Sequence, residues 1–167
     1  MGMRPFGQPY NDKGKLSTTL ESTLGRLCLI GYHALYNPDT SNVLGEPGRV
    51  RAECWRVVVF AHWGEEYKTE PEATTRAIAR SFIDAGADVV IGAHPHVVQP
   101  YEVYKGKAIF YSLGNFMFDQ EFSPEVMQGL LVRAEFGRVE DCFTPIPTAI
   151  NHAAVTALEP LDTFCLP

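Results

Sequence analysis

In the middle of this chain the apolar residues fall in short unbroken runs, each ending at a histidine. Val57-Val58-Val59-Phe60-Ala61 leads into His62-Trp63-Gly64, and Val89-Val90-Ile91-Gly92-Ala93 leads into His94-Pro95-His96. The lack of polar alternation marks strands buried on both faces. Between them, Pro71 to Ala85 carries Ala77, Ile78, Phe82 and Ile83 at helical spacing, with Pro71 in the first turn and Gly86 just past the end. The predicted unit is strand, helix, strand, and a crossover of that length makes the two strands parallel. Parallel strands share a carboxyl edge, so His62, His94 and His96 meet there, where open α/β sheets bind ligands. In an extended segment, positions i and i+2 face one way, so the His94 and His96 imidazoles leave together, an arrangement suited to a metal.

The pattern elsewhere completes a mixed α/β reading. Arg26 to Tyr32 is a short buried strand, followed by a loop through Asn37-Pro38-Asp39 and Gly45-Glu46-Pro47-Gly48. Val97 to Tyr104 is extended, Tyr104 to Lys107 turns, and Ala108 to Leu113 returns as a strand that closes on Gly114-Asn115-Phe116. Gly129 to Phe136 alternates as a further strand. Residues 1–23 read as a poorly ordered lead-in, 24–150 as the domain and 151–167 as a tail.

Composition narrows the function classes. The 167 residues suit one domain, and a formal net charge of −6 without a Lys/Arg cluster argues against nucleic acid as partner. Residues 1–10 lack the apolar core of a signal peptide, and no run is long enough to span a membrane. Cys28, Cys54, Cys142 and Cys165 stand far apart with no CxxC, which favours buried thiols, although an even count permits disulfides. Asp84 and Asp88 flank the helix-to-strand joint and read as structural, while Arg76, Arg80, Lys105 and Lys107 offer a local basic patch.

Three ordered motifs give the chain a family likeness. His62-Trp63-Gly64 with Glu66-Tyr67, then Asp84-Ala85-Gly86-Ala87-Asp88 through Ile91-Gly92-Ala93-His94-Pro95-His96-Val97, then Tyr111-Ser112-Leu113-Gly114-Asn115-Phe116 with Phe118-Asp119-Gln120, resemble the CapA-type capsule and poly-γ-glutamate synthesis proteins. That family is similar in fold to the calcineurin-like metallophosphatases. The resemblance, over roughly Leu24 to Ile150, implies a four-layer α/β/β/α sandwich with a metal site at the strand ends. It implies that His62, His94 and His96 are metal-site residues for a divalent ion such as zinc, manganese or iron. Glu66 and Asn115, at matching motif positions nearby, are the catalytic candidates it implies. Members begin with a strand ending in Gly-Asp and carry an Asn-x-Glu segment. Neither motif is present here, so the domain is expected to be incomplete on its N-terminal side.

Each candidate has an ordinary alternative. A histidine closing a strand is by itself more often a hydrogen-bonded structural group, and it is the His-x-His spacing together with the resemblance that argues for ligation. Glu66 either accepts from a metal-bound imidazole or caps its loop. Asn115 offers an amide to a metal or an anionic substrate, or is a turn residue after Gly114. His33 and His152 lie outside any motif and read as ordinary polar residues, whereas Trp63 is the aromatic better placed to wall the site, with plain packing as its alternative.

Two function classes follow from the resemblance. One is a metal-dependent phosphoesterase or hydrolase, in which the cation activates water against a phosphoester or amide-like centre. The other is a non-catalytic component that binds an anionic polymer such as poly-γ-glutamate among the subunits of a capsule synthesis complex. Imidazoles cannot bridge two cations, so the missing carboxylates favour a single-ion site. An incomplete domain would expose strand edges and self-associate. The resemblance places its members at or outside the membrane, and this stretch of sequence carries no export signal.

Overall fold

The computed structural model describes residues 5–151 and 154–167. Histidine 152 lies outside the described residues. The chain forms a mixed α/β fold with two β-sheets and, among the described residues, two helices. In chain order the elements are β1 (Ser17–Ser22), β2 (Gly25–His33), α1 (Ser41–Arg51), β3 (Arg56–His62), α2 (Ala73–Asp84), β4 (Val89–Ala93), β5 (Tyr101–Tyr104), β6 (Lys107–Phe110), β7 (Gln128–Phe136), β8 (Asp141–Asn151), β9 (Ala154–Ala157) and β10 (Phe164–Leu166).

The six-stranded sheet runs β1-β2-β3-β4-β6-β5, with β2, β3, β4 and β6 mutually parallel. The strand-helix-strand unit expected from the apolar runs is therefore β3-α2-β4. Successive residues of β3 point to opposite faces, and both faces are apolar because both are covered. Val57, Val59 and Ala61 pack with Phe82, Ile83 and Ala79 of α2 and Val43 and Val50 of α1. On the other face Val58, Val89 and Phe110 meet Phe143, Leu130, Val132 and Phe164 of the second sheet. The layers are helices, sheet, sheet.

Four sequence expectations are corrected. Gly45-Glu46-Pro47-Gly48 is not loop but the body of α1, where Gly and Pro read as breakers. Tertiary contacts override them: Val43, Pro47 and Val50 are buried, and Glu46 accepts hydrogen bonds from Ser17 at 2.5 Å and from Arg49. The segment read as a poorly ordered lead-in holds β1, the antiparallel edge strand, and buries Asn11 and Leu16. Its polar residues suit an edge strand, which shows no strong period. The segment read as a tail is drawn into the second sheet, where β9 and β10 both pair with β8. The cysteines form two disulfides, Cys28–Cys54 and Cys142–Cys165. The first joins β2 to the entry of β3 and the second fastens β10 to β8.

One ion pair ties the two sheets at their base. Arg56 at the start of β3 donates through Nε to Asp141 Oδ2 at 2.8 Å and through Nη2 to Asp141 Oδ1 at 3.0 Å, and also reaches the Gly137 carbonyl. Both side chains are largely buried, at 16% and 5% exposure, so losing one partner strands the other charge out of water. Asp141→Ala is expected to lower the unfolding free energy by about 3 kcal/mol, measured by urea denaturation. A loss within experimental error would show that the sheets do not depend on this pair.

Candidate metal centre

The site is built by strand register. His33 of β2 is paired with His62 of β3, and His62 with Ala93 of β4, so His94 stands one residue past the partner of His62. The imidazoles form a row along the carboxyl edge. Ring centroids are 4.8 Å apart for His33 and His62, 4.8 Å for His62 and His94, and 5.8 Å for His94 and His96.

Two further hydrogen bonds bring the loop after β3 over this row. The Trp63 amide donates to the Ala93 carbonyl at 3.1 Å, and the Tyr67 amide donates to the Pro95 carbonyl at 2.7 Å. Glu66 is thereby held against the His94-Pro95-His96 turn. One carboxylate oxygen of Glu66 and one ring nitrogen each of His94 and His96 lie within 4.8 Å of one another. These three residues could hold one cation, with His62 one ring further along the row.

The backbone that presents the pair differs from the expected extended segment. His94 and His96 have φ of 105° and 60°, and Tyr67 has φ of 63°, all in the left-handed region that L residues with a Cβ rarely adopt. The two rings converge because the chain turns at Pro95, not because i and i+2 share a strand face. Such conformations persist only where the surroundings enforce them, and they gather at functional sites.

Asn115 sets the chemistry of His96. Its Nδ2 donates to the Val126 carbonyl at 3.0 Å and to Gln120 Oε1 at 3.3 Å, which turns Oδ1 toward His96 Nδ1 at 2.8 Å. On this network Nδ1 carries the proton and Nε2 keeps its lone pair for a ligand. Asn115 is therefore a positioning residue, its amide oxygen already engaged. Tyr67 and Phe118 lie along the two neighbouring sides of the ring, with centroids 6.0 and 5.1 Å away.

The other expected contributors are distributed differently. Trp63 does not wall the site; it is 1% exposed, donates from Nε1 to the Tyr111 carbonyl at 3.0 Å and packs on Phe82 in the helix-side core. Tyr111 is likewise core, whereas Phe116 and Phe118 are about half exposed, at 50% and 46%. The expected basic patch is neutralised: Arg76, Arg80, Lys105 and Lys107 pair with Glu70, Glu102, Asp84 and Asp88. Asp88 also accepts from Arg51 and from the Val57 amide, at the opposite end of the sheet from the histidines, as its structural reading requires. Sequence reasoning set His33 aside for want of a motif. The signal was present, since His33 directly follows an apolar strand just as His62 does.

Burial disfavours the charged form of the two central imidazoles. It pushes His62 down to about 4, helped by the neighbouring His94, His33 and His96 imidazoles. It also lowers His94, against the opposing pull of the Glu66 carboxylate. Neutral imidazole is the ligating form.

Three comparisons with known proteins bear on this geometry. A family model described as bacterial capsule synthesis protein PGA_cap matches residues 19–120. The PGA biosynthesis protein CapA of Bacillus subtilis is 59% identical over 64 residues, which cover 38% of this chain and 17% of that protein. The capsule biosynthesis protein CapA of Bacillus anthracis is 58% identical over 64 residues, 38% of this chain and 16% of its own length. An uncharacterized protein, y4sH, of Sinorhizobium fredii is 45% identical over 99 residues, 59% of this chain and 19% of that one. The chain thus aligns with less than a fifth of each of these relatives. A crystal structure of a hypothetical protein from Thermus thermophilus superposes with a TM-score of 0.50 at 18% identity, over 95% of this chain and 66% of that one, a likeness of fold.

Two outcomes are expected. In the metal-free protein, the folded state resists protonating His62 until about pH 4, while the unfolded chain takes up that proton near pH 6.5. Between those values the unfolded state binds more protons, so stability falls as pH drops through the window and levels off below it. Urea titrations across pH should show a shallower fall in His62→Gln; an unchanged profile would contradict the assignment. Separately, Asn115→Ala should weaken divalent-cation binding about 10- to 100-fold in chelator competition, with the circular dichroism spectrum preserved. Unaltered affinity would remove Asn115 from the site.

Proposed function

Because this chain belongs to the bacterial capsule synthesis family PGA_cap, we propose that it is a metal-dependent component of surface-polymer biosynthesis, holding an anionic chain of the poly-γ-glutamate type at its histidine edge. The observation that carries this reading is the convergence of Glu66, His94 and His96 within 4.8 Å.

The donor set fits a divalent ion. Two imidazoles and one carboxylate suit zinc, manganese or iron, and they leave coordination positions for water or substrate. A bound ion supplies Lewis acidity and a local positive charge. That charge has a specific use here. The protein has a formal net charge of −6, and Arg76 and Arg80 of the basic patch are already paired with carboxylates. A metal is a direct way for an acidic protein to recognise an acidic polymer.

The residues of the chain divide the remaining tasks. Glu66 is exposed, so it can meet both an ion and solvent. Asn115 holds the His96 proton on Nδ1 and leaves Nε2 free. Tyr67 and Phe118 pack against the His96 ring and help to hold its orientation.

A second reading is phosphoester hydrolysis on a metallophosphatase-like sandwich. The helix, sheet, sheet order supports it as three of the four layers of an α/β/β/α fold. Against it, Glu66 is the one carboxylate grouped with the edge histidines among the described residues, and holding two cations side by side needs a bridging oxygen. The two disulfides suit an oxidising compartment, in keeping with polymer assembly outside the cytoplasm.

Calorimetric titration of poly-γ-glutamate oligomers into zinc- or manganese-loaded protein tests the first reading. Binding is expected with the cation present, and it should vanish with EDTA or in His94→Ala/His96→Ala. Equal binding with and without the cation would contradict the proposal. Turnover of bis(p-nitrophenyl) phosphate by the loaded protein, lost in the same variant, would move the assignment to the second reading.

A further inference from the structure

We propose that the Tyr67 hydroxyl is a second contact for the anionic polymer, donating a hydrogen bond to a carboxylate beside the one met at the cation. On the polymer-binding reading of the carboxyl edge, on which this rests, the ion takes one carboxylate and Tyr67 takes its neighbour.

The direction of the hydrogen bonds around Tyr67 is set by a group that can only accept. The Val126 carbonyl lies 3.0 Å from Asn115 Nδ2, so that nitrogen donates and the amide orientation of Asn115 is fixed. Asn115 Nδ2 also donates to Gln120 Oε1 at 3.3 Å, which turns Gln120 Nε2 the other way, to the Tyr67 hydroxyl at 3.0 Å. An amide nitrogen has no lone pair to offer, so Gln120 donates and Tyr67 Oη accepts. Reversing Asn115 would set its oxygen against the Val126 carbonyl, and reversing Gln120 would set two amide nitrogens against each other. The hydroxyl proton of Tyr67 is therefore unspent, with no acceptor among the described residues, and the residue is 42% exposed.

The rest of Tyr67 is pinned. Its amide donates to the Pro95 carbonyl at 2.7 Å, its ring lies along His96 with 28° between planes, and Phe122 meets it edge-on at 5.1 Å. Its φ of 63° is a conformation that the surroundings have to enforce. Tyr67 belongs to neither core cluster, so this restraint does not serve core packing. It pre-organises a solvent-facing donor, and less ordering cost then falls on binding.

The other side of His96 differs. Phe118 stands there at 5.1 Å and has no polar atom on its ring. A ligand at the cation thus finds a hydrogen-bond donor on the Tyr67 side and none on Phe118. A hydroxyl with its proton outward favours an anionic oxygen, because hydrogen bonds to charged groups are the stronger ones. A polymer with a carboxylate on every unit presents two at once, so engaging the second becomes intramolecular once the first is held.

The test is calorimetric titration of poly-γ-glutamate oligomers into zinc-loaded wild type, Tyr67→Phe, Gln120→Glu and the double variant Tyr67→Phe/Gln120→Glu. Zinc affinity is measured separately by chelator competition, and folding is checked by circular dichroism. Tyr67→Phe is expected to weaken oligomer binding about 10-fold, with zinc affinity unchanged. Gln120→Glu replaces the donor with an acceptor, which draws the Tyr67 proton away from the ligand. Oligomer binding should fall there too, and the loss that Gln120→Glu adds to Tyr67→Phe should be much smaller than its loss in wild type. Equal losses in both backgrounds would assign the effect to the added charge and overturn the inference. A parallel loss of zinc affinity in Tyr67→Phe would make the residue structural and overturn it as well. Unchanged oligomer affinity in Tyr67→Phe, with wild type binding only when zinc is present, would overturn it and leave the polymer reading intact. Binding that needs no zinc but weakens in Tyr67→Phe would support the Tyr67 contact and remove the metal from recognition. A wild type that binds no oligomer overturns both. If Tyr67→Phe does not fold, crystals of zinc-loaded wild type with the oligomer decide: a carboxylate oxygen about 2.5–3.0 Å from Tyr67 Oη supports the contact, and a bound oligomer without one overturns it.

Discussion

Parallel pairing of β2, β3 and β4 is the constraint on which the rest of the structure depends. Parallel strands end at a common edge, and in this register three consecutive strands terminate at His33, His62 and Ala93, the last followed at once by His94. The chemistry therefore follows from where the strands stop. A one-residue slip of β3 would exchange its two faces, sending Val57, Val59 and Ala61 out of the helix-side core and His62 off the row. Core packing and site assembly are thus enforced by the same register.

The edge is held from several sides. Gly92 in β4 has no room for a side chain, because a Cβ there would overlap the Tyr111 carbonyl and the Trp63 indole nitrogen. That close approach lets the buried Trp63 bond to Tyr111 and draws the loop carrying Glu66 onto the His94-Pro95-His96 turn. At the opposite end of the sheet, Asp88 gathers Arg51, Lys107 and the Val57 amide, and Arg56 binds Asp141 of the second sheet. Charge is thus paired at the amino end, and half-buried imidazoles gather at the carboxyl end.

Much of this is legible in the residues themselves. Unbroken valine-rich runs around a helical period are sufficient to give β3-α2-β4, its parallel sense and the placing of His62 and His94 at one edge, whereas the turn at Pro95 that brings His96 round is not written in them. The hairpin β5-β6 is equally plain, because Lys105-Gly106 supplies the two left-handed positions that its turn requires. Helix α1 is not, since Gly45, Pro47 and Gly48 speak locally for a loop and only contacts with Ser17 and the sheet, distant in sequence, reverse that. The disulfides and the pairing of β10 with β8 are hidden for the same reason, as they reach across more than twenty residues. At the site, the sequence singles out Glu66 and Asn115 without giving their roles. Those roles depend on side-chain direction, which turns on the bonds from Asn115 to Val126 and from Tyr67 to Pro95.

The central claim is that the carboxyl edge is a cation centre organised by Glu66, His94 and His96. Crystals grown with zinc and measured on both sides of its absorption edge test it most directly. The account predicts an anomalous peak within about 2.0–2.2 Å of a nitrogen of His94, a nitrogen of His96 and an oxygen of Glu66. Ordered, unliganded imidazoles in zinc-saturated crystals, or a peak confined to surface carboxylates elsewhere, would contradict it.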